Sequence, residues 1–90
     1  MSTVEVEGEL TIHTAASQAP HLLGALEEKS TLRVRLAGVT ELDTAGLQLL
    51  LMARREALRL GSTVEFLDAS AEARSALAVV HLDGALEALT

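Results

Sequence analysis

The chain has 90 residues, 49% of them apolar but only 1% aromatic, a formal net charge of −6, and no cysteine. A core can therefore form from Leu, Ala and Val. With almost no aromatic side chains, the chain cannot stack on nucleic-acid bases. The negative charge also disfavours binding to nucleic acid and to anionic membranes. Without cysteine, disulfides, thiolate metal sites and a thiol nucleophile are excluded.

Alternating apolar and polar residues open the chain. Val4 and Val6 alternate with polar residues, and Leu10 and Ile12 continue the alternation after Gly8. Two such runs around a glycine are typical of a β-hairpin. We therefore predict two antiparallel strands at the N-terminus.

The first helix is predicted within residues 14–29. Pro20 limits where this helix can begin. With Ser17 as N-cap, Pro20 falls at the third helical position, where its missing N–H has no intrahelical partner to lose. The predicted buried stripe consists of Leu22, Leu23 and Leu26.

Two further strands are predicted at residues 32–37 and around Val64 and Phe66. Both alternate between apolar and polar residues, whereas strands covered on both faces are continuously apolar. One face of the sheet is therefore expected to be wet, with Arg33 and Arg35 beside glutamates, and the helices are expected mainly on the other face.

The second helix is predicted from residue 44 to residue 60, with Gly61 as its stop. At about 100° per residue, the centre of its buried face consists of Gly46, Leu50, Ala53 and Ala57. Leu51 and Met52 lie at or near the opposite, polar stripe. They either widen the core face or form a contact surface.

A third helix is predicted over residues 70–82, and residues 85–89 could add a final turn. The predicted fold is α/β: a four-stranded mixed sheet, made of the hairpin and parallel strands, with three to four helices. The carboxyl ends of the strands should then share one edge, where ligands of open α/β sheets gather. The residues expected at this edge are His13, Thr14, segment 39–44, Asp68 and Ser70.

Signatures of catalysis and of metal binding are weak. His13, His21 and His81 lack the spacing of a metal site, and no phosphate-cradling glycine loop occurs. Asp43 and Asp68 could meet His13 at the strand edge, but capping explains both aspartates more simply. We predict a protein that is not an enzyme and has no metal or cofactor.

The strongest motif lies where the third predicted strand meets the second helix. It reads Val39-Thr40-Glu41-Leu42-Asp43-Thr44-Ala45-Gly46-Leu47. By spacing alone it is a helix N-cap, because side-chain oxygens accept from the free N–H groups of a first helical turn. Followed by a leucine-rich helix and Gly61, it resembles the STAS domain of anti-sigma factor antagonists. The run Val6-Glu7-Gly8-Glu9-Leu10-Thr11 is similar to that family's opening hairpin.

The resemblance implies one STAS domain over residues 1–90. In the antagonist branch a partner kinase, which also acts as an anti-sigma factor, phosphorylates the hydroxyl residue after the Asp. This is Thr44 here, while Ala45 replaces the family's frequent second hydroxyl. Similar proteins are small subunits of phospholipid-transporting ABC systems, bound to the ATPase, or adaptors associated with chemotaxis, and the sequence does not separate these roles.

The predicted docking surface surrounds Thr44. It consists of Glu41, Asp43, Gly46, Leu47, Gln48, Leu51 and Met52. The expected partner is a protein, either the ATP-binding kinase or a transporter ATPase, and self-association through Leu51 and Met52 remains open. With no signal-peptide pattern and no apolar run longer than five residues, we expect a cytoplasmic protein that is not inserted in a membrane.

Overall fold

Strands and helices alternate along the chain. The structure, a computed structural model, describes residues 2–79. Its elements are β1 (Ser2–Leu10), α1 (Ala15–Leu23), β2 (Thr31–Leu42), α2 (Thr44–Arg59), β3 (Thr63–Leu67) and α3 (Ala71–Val79). The predicted final turn over residues 85–89, and the end of the third helix at residue 82, lie outside the described residues.

The three strands form one parallel sheet in the order β1-β2-β3. Val4 pairs with Val34 and Leu10 pairs with Leu42, while β3 is shorter and its last residue, Leu67, pairs with Arg35. Neighbours in the sequence are thus neighbours in the described sheet, and β2 and β3 are parallel as predicted. The second half of β2 extends well beyond the end of β3.

The predicted N-terminal hairpin is wrong. Residues 2–10 form one strand that runs parallel to β2, with register shifts on either side of Gly8. Gly8 has φ +76°, so this glycine accommodates an irregularity in the strand rather than a chain reversal. Ile12, assigned to the second strand, lies beyond the end of β1 and is 72% exposed. The described sheet therefore has three strands and no antiparallel pair.

One face of the sheet is buried under the helices and the other is wet, as the alternation predicted. Each strand sends its alternate apolar side chains into one core: Val4, Val6 and Leu10 from β1, Leu32, Val34 and Leu36 from β2, and Val64 and Phe66 from β3. On the wet face Arg33 pairs with Glu65 at 3.3 Å, and Arg35 pairs with Glu5 at 3.4 Å. Exposed pairs of this kind contribute at most about 1 kcal/mol each.

Helix α1 begins three residues earlier than Ser17 would require. Its N-cap is Thr14, and Pro20 lies inside the helix. The tight turn before it explains the early start: the Ala15 N–H donates to the Thr11 carbonyl at 2.7 Å, and Thr14 Oγ1 accepts from the Thr11 N–H at 2.9 Å. These bonds determine the first helical turn. Pro20 therefore falls inside the helix, where it cannot donate a backbone hydrogen bond.

The side chains of α1 also cover the outer edge of β1. Three carbonyl oxygens at alternate residues of this strand accept hydrogen bonds: Glu9 from Thr14 Oγ1 at 2.8 Å, Glu7 from Gln18 Nε2 at 3.4 Å, and Glu5 from His21 Nε2 at 3.0 Å. The donors are spaced four and three residues apart, which places them on one side of the helix. They satisfy the carbonyl groups of an edge that would otherwise be open to a further strand.

We predict that replacing both Gln18 and His21 by alanine lowers the free energy of unfolding by about 1–3 kcal/mol, because two carbonyl groups lose their donors. Urea unfolding followed by circular dichroism measures the change. Glu28→Ala, in the exposed loop after α1, is the control and should change stability by less than about 0.5 kcal/mol. Equal stabilities of the double variant and the control would contradict the role of these side chains.

Candidate functional site

The carboxylate of Asp43 joins the beginning of α2 to the end of β1. Its Oδ1 accepts from the Gly46 N–H at 3.0 Å, as an N-cap does, and its Oδ2 accepts from the Ile12 N–H at 3.0 Å. The Asp43 N–H donates to the Leu10 carbonyl at 3.3 Å. The predicted N-cap is confirmed, and the same side chain also holds the chain that leaves β1.

These hydrogen bonds stabilise the charged form of the Asp43 carboxyl. The N–H groups of Ile12 and then of Gly46 lower its pKa from the ordinary value, and they outweigh the opposing effect of burial. The N–H of Ala45 and the charge of His13 act in the same direction. Asp43 is therefore an anion at neutral pH, at the positive end of the helix dipole.

Gly46 allows α2 to approach the end of β1 closely. A Cβ atom built on Gly46 would lie 1.9 Å from the Leu10 carbonyl oxygen and 2.9 Å from Leu42 Cδ1. Any other residue would push the first turn of the helix away from the sheet. Gly46 and Leu47 are both buried. They support the predicted docking surface from beneath and do not form part of it.

Thr44 is the first residue of α2 and its side chain is exposed. Three other predicted docking residues continue along the same outer side of the helix: Gln48 is exposed, Leu51 is 37% exposed and Met52 is 51% exposed. Glu41, two residues before the N-cap, is also exposed. A protein partner could thus reach Thr44 together with an apolar surface.

A shallow depression lies on this side of α2, lined by Gln48, Leu51, Met52 and Arg55. Leu51 and Met52 do not widen the core, because the core side of α2 consists of other residues. These are Gly46, Leu47, Leu49, Leu50, Ala53 and Ala57.

The predicted edge residues do not all come together. His13 and Thr14 follow β1 and lie at the Asp43 end of the sheet, because Leu10 pairs with Leu42. Asp68 lies beside Arg35 at 3.1 Å, and the Ser70 N–H donates to the Leu36 carbonyl at 3.3 Å. Leu42 lies seven positions after Arg35 along β2, which corresponds to about 23 Å.

Each predicted edge residue that is bonded has a structural role. Thr14 Oγ1 donates to the Glu9 carbonyl at the edge of β1, Asp68 pairs with Arg35, and Ser70 Oγ accepts from the Ala73 N–H at the start of α3. His13 is exposed. Asp43, Asp68 and His13 therefore do not form a catalytic set, since the short β3 ends far from the end of β2.

Within residues 2–79, no three His, Asp or Glu side chains are grouped so that they could hold a metal ion. The same part of the chain has no helix that is both long and apolar enough to cross a membrane. What the arrangement of α2 offers chemically is an exposed hydroxyl at the positive end of the helix, with exposed apolar side chains about two turns further along.

Two exposed apolar residues were not predicted from the sequence. Ile12 donates its N–H to Asp43 and has an exposed side chain, and Leu58, towards the end of α2, is 68% exposed. The exposure of Ile12 was not predicted because the hairpin prediction placed this residue in a strand. The second lies seven residues after Leu51, a spacing that already indicates a common side of the helix.

The chain belongs to the STAS domain family, because a model of that family covers nearly all of it. The family model described as "Mlab, STAS domain" matches residues 1–89. No curated protein sequence matches the chain.

Two solved structures share the fold. A sulfate transporter family protein from Wolinella succinogenes is 21% identical, with a TM-score of 0.74, covering 94% of this chain and 70% of the other. The SulP transporter STAS domain from Vibrio cholerae is 20% identical, with a TM-score of 0.66, covering 99% of this chain and 67% of the other. At these identities the likeness shows the fold alone.

We predict that Gly46→Ala destabilises the protein by about 1–3 kcal/mol, because its Cβ collides with the backbone of Leu10 and overpacking has costs of this size. Thermal and urea unfolding measure the loss. Gln48→Ala, on the exposed side of the same helix, is the matched control and should stay within about 0.5 kcal/mol of the wild type. A Gly46→Ala variant as stable as this control would show that α2 does not need the close approach.

We also predict that Asp43→Asn lowers stability at pH 7 and that its difference from the wild type shrinks in acid. Asn retains one acceptor oxygen for the Gly46 N–H but loses the charge and the second acceptor for Ile12. Because folding lowers the pKa of Asp43, its stabilisation is present above the unfolded value of about 3.9 and is lost as the pH falls through the folded value.

Urea unfolding at pH 7 and pH 3 compares the two proteins. Glu28→Gln, in an exposed loop, is the control and should differ little from the wild type at either pH. A gap between wild type and Asp43→Asn that is equally large at both pH values would mean that the ionised carboxylate is not the stabilising species.

Proposed function

We propose that this STAS domain is a non-enzymatic signalling module of the anti-sigma factor antagonist type. A partner protein that is both kinase and anti-sigma factor docks on the first turns of α2 and is released when Thr44 is phosphorylated. The observation that carries the proposal is the position of Thr44: it is exposed and first in the helix, and the exposed apolar side chains of Leu51 and Met52 follow about two helical turns later. STAS domains in general act through protein–protein contacts rather than catalysis, which supports it.

The Asp43 cap favours a phosphate that stays on the surface. Asp43 already accepts from the Gly46 N–H, so a phosphate on Thr44 cannot take over this donor without breaking the cap. The helix dipole offsets about 1 kcal/mol of the cost of the added charge, while Asp43 and the exposed Glu41 repel it. The modification therefore changes the surface offered to the partner and leaves the fold in place.

Expulsion of the partner follows from desolvation. A phosphate carries about −1.5 to −2 charges at neutral pH, and an interface packed on Gln48, Leu51 and Met52 would have to strip water from it. A loss of about 3 kcal/mol weakens binding more than a hundredfold. A single modified hydroxyl is thus sufficient to switch the complex.

A second candidate is a small STAS subunit of a phospholipid-transporting ABC system, bound to its ATPase on the cytoplasmic side. The observation favouring it is that both similar solved structures come from transporter families. In this role Thr44 supplies a neutral contact within a constitutive interface and carries no phosphate. The docking surface on α2 is the same in both candidates.

We predict that Thr44→Glu weakens binding of the main partner more than tenfold, whereas Thr44→Ala binds as well as the wild type and no longer releases the partner on incubation with ATP. The partner is isolated by its complex with the wild type, and affinities are measured by isothermal titration calorimetry. Thr3→Glu, an equally exposed threonine on β1, is the control for added charge and should leave affinity unchanged.

The two candidates give different results in the same experiment. Phosphate on Thr44, detected by mass spectrometry of the protein from cells, together with release of the partner, supports the signalling module. A transporter ATPase as partner and no phosphate on Thr44 supports the transporter subunit. Equal binding by wild type and Thr44→Glu would overturn both the switch and the docking surface.

A further inference from the structure

The exposed side of α2 carries two apolar side chains among polar ones. Its residues, spaced by four and three positions as on one side of any α-helix, are Thr44, Gln48, Leu51, Arg55 and Leu58. Of these, Leu51 and Leu58 are exposed apolar side chains. We call these five residues the outer seam. They lie opposite the core side of α2, and the described part of the chain places no element over them.

We propose that the outer seam is a homodimer interface, in which α2 packs antiparallel against α2 of a second copy with the twofold axis at Leu51. Leu51 then meets Leu51 of the second copy, and Thr44 lies opposite its Leu58. The exposed fractions of these apolar side chains, 37% for Leu51 and 68% for Leu58, supply the surface that the contact removes from water.

The charge distribution along α2 selects a second copy and the antiparallel direction. The carboxylates of Glu41 and Asp43 stand at the beginning of the helix, and Arg55 and Arg59 stand towards its end. Antiparallel packing brings each acidic beginning to the basic end of the other helix, and the two helix dipoles then attract each other. A parallel pair would instead place arginine beside arginine.

Of Arg55 and Arg59, the arginines towards the end of α2, one has no ion-pair partner among the described residues and is available for this contact. Arg59 is hydrogen-bonded to Glu56, one turn earlier, whereas Arg55 has no ion pair with any of the described residues. Arg55 also lines the depression beside Leu51. In the dimer, this side chain lies next to Gln48 and close to Thr44 of the second copy.

The size of the interface predicts a weak dimer. A helix of 16 residues is about 24 Å long, so a pair of such helices buries less surface than the roughly 1,200–2,000 Å² of stable complexes. We expect a dissociation constant on the order of 0.1 mM. The dimer covers Thr44, so self-association and partner docking exclude each other. The inference does not depend on phosphorylation and needs no partner protein for its test.

Sedimentation equilibrium of the unphosphorylated protein tests association directly. The wild type should dimerise reversibly up to 1 mM protein, and Leu51→Glu should weaken dimerisation at least tenfold, because two glutamates meet at the axis. Arg74→Glu, an exposed arginine on α3, reverses a charge outside the seam and should dimerise like the wild type. A monomeric wild type, or Leu51→Glu dimerising like the wild type, overturns the proposal.

Disulfide cross-linking tests the direction of packing, since the chain has no cysteine of its own. Leu51→Cys places two thiols together at the axis and should give a covalent dimer on mild oxidation by oxidised glutathione. Leu58→Cys is the control: it is the more exposed position, yet antiparallel packing puts its two copies at opposite ends of the interface. Equal cross-linking at both positions, or preference for Leu58→Cys, overturns the antiparallel arrangement.

Discussion

The contact between the first turn of α2 and the end of β1 is the constraint on which the rest of the structure depends. Asp43 binds the N–H groups of Gly46 and Ile12 with its two oxygens, and Gly46 lets the helix lie against the Leu10 carbonyl. Together they determine where α2 starts and how it lies on the sheet. Thr44, which follows Asp43 as the first residue of α2, takes no part in this contact and is exposed.

The two sides of α2 have separate roles. The inner side, built around Gly46, Leu50 and Ala53, closes the core. The outer side does not pack against the core, and it carries an exposed hydroxyl, apolar side chains and arginines. A protein partner, a phosphate on Thr44 and a second copy of the chain would all act on this outer side, so that each of them would alter access for the others.

The length of the strands decides what can gather at the edge of the sheet. β2 runs to Leu42 alongside β1, whereas β3 ends at the level of Arg35. Residues after β1 and β2 therefore meet, and residues after β3 remain about 23 Å away along the strand. Because of this separation, the described residues form no cleft with converging acid and base groups at the entrance of α2.

The sequence by itself determined the elements with strong local signals: α2 with its Asp43 cap, its Gly61 stop and its buried face, and the wet face of the sheet. Each follows from periodicity or from a residue at an end of the helix. The family was indicated separately, by the resemblance of residues 39–47 to the STAS domain. Tertiary structure alone decided that residues 2–10 form one parallel strand, that Leu47 is buried and that Asp68 lies far from Asp43. These depend on register and strand length, which contacts distant in the chain establish and no local pattern encodes.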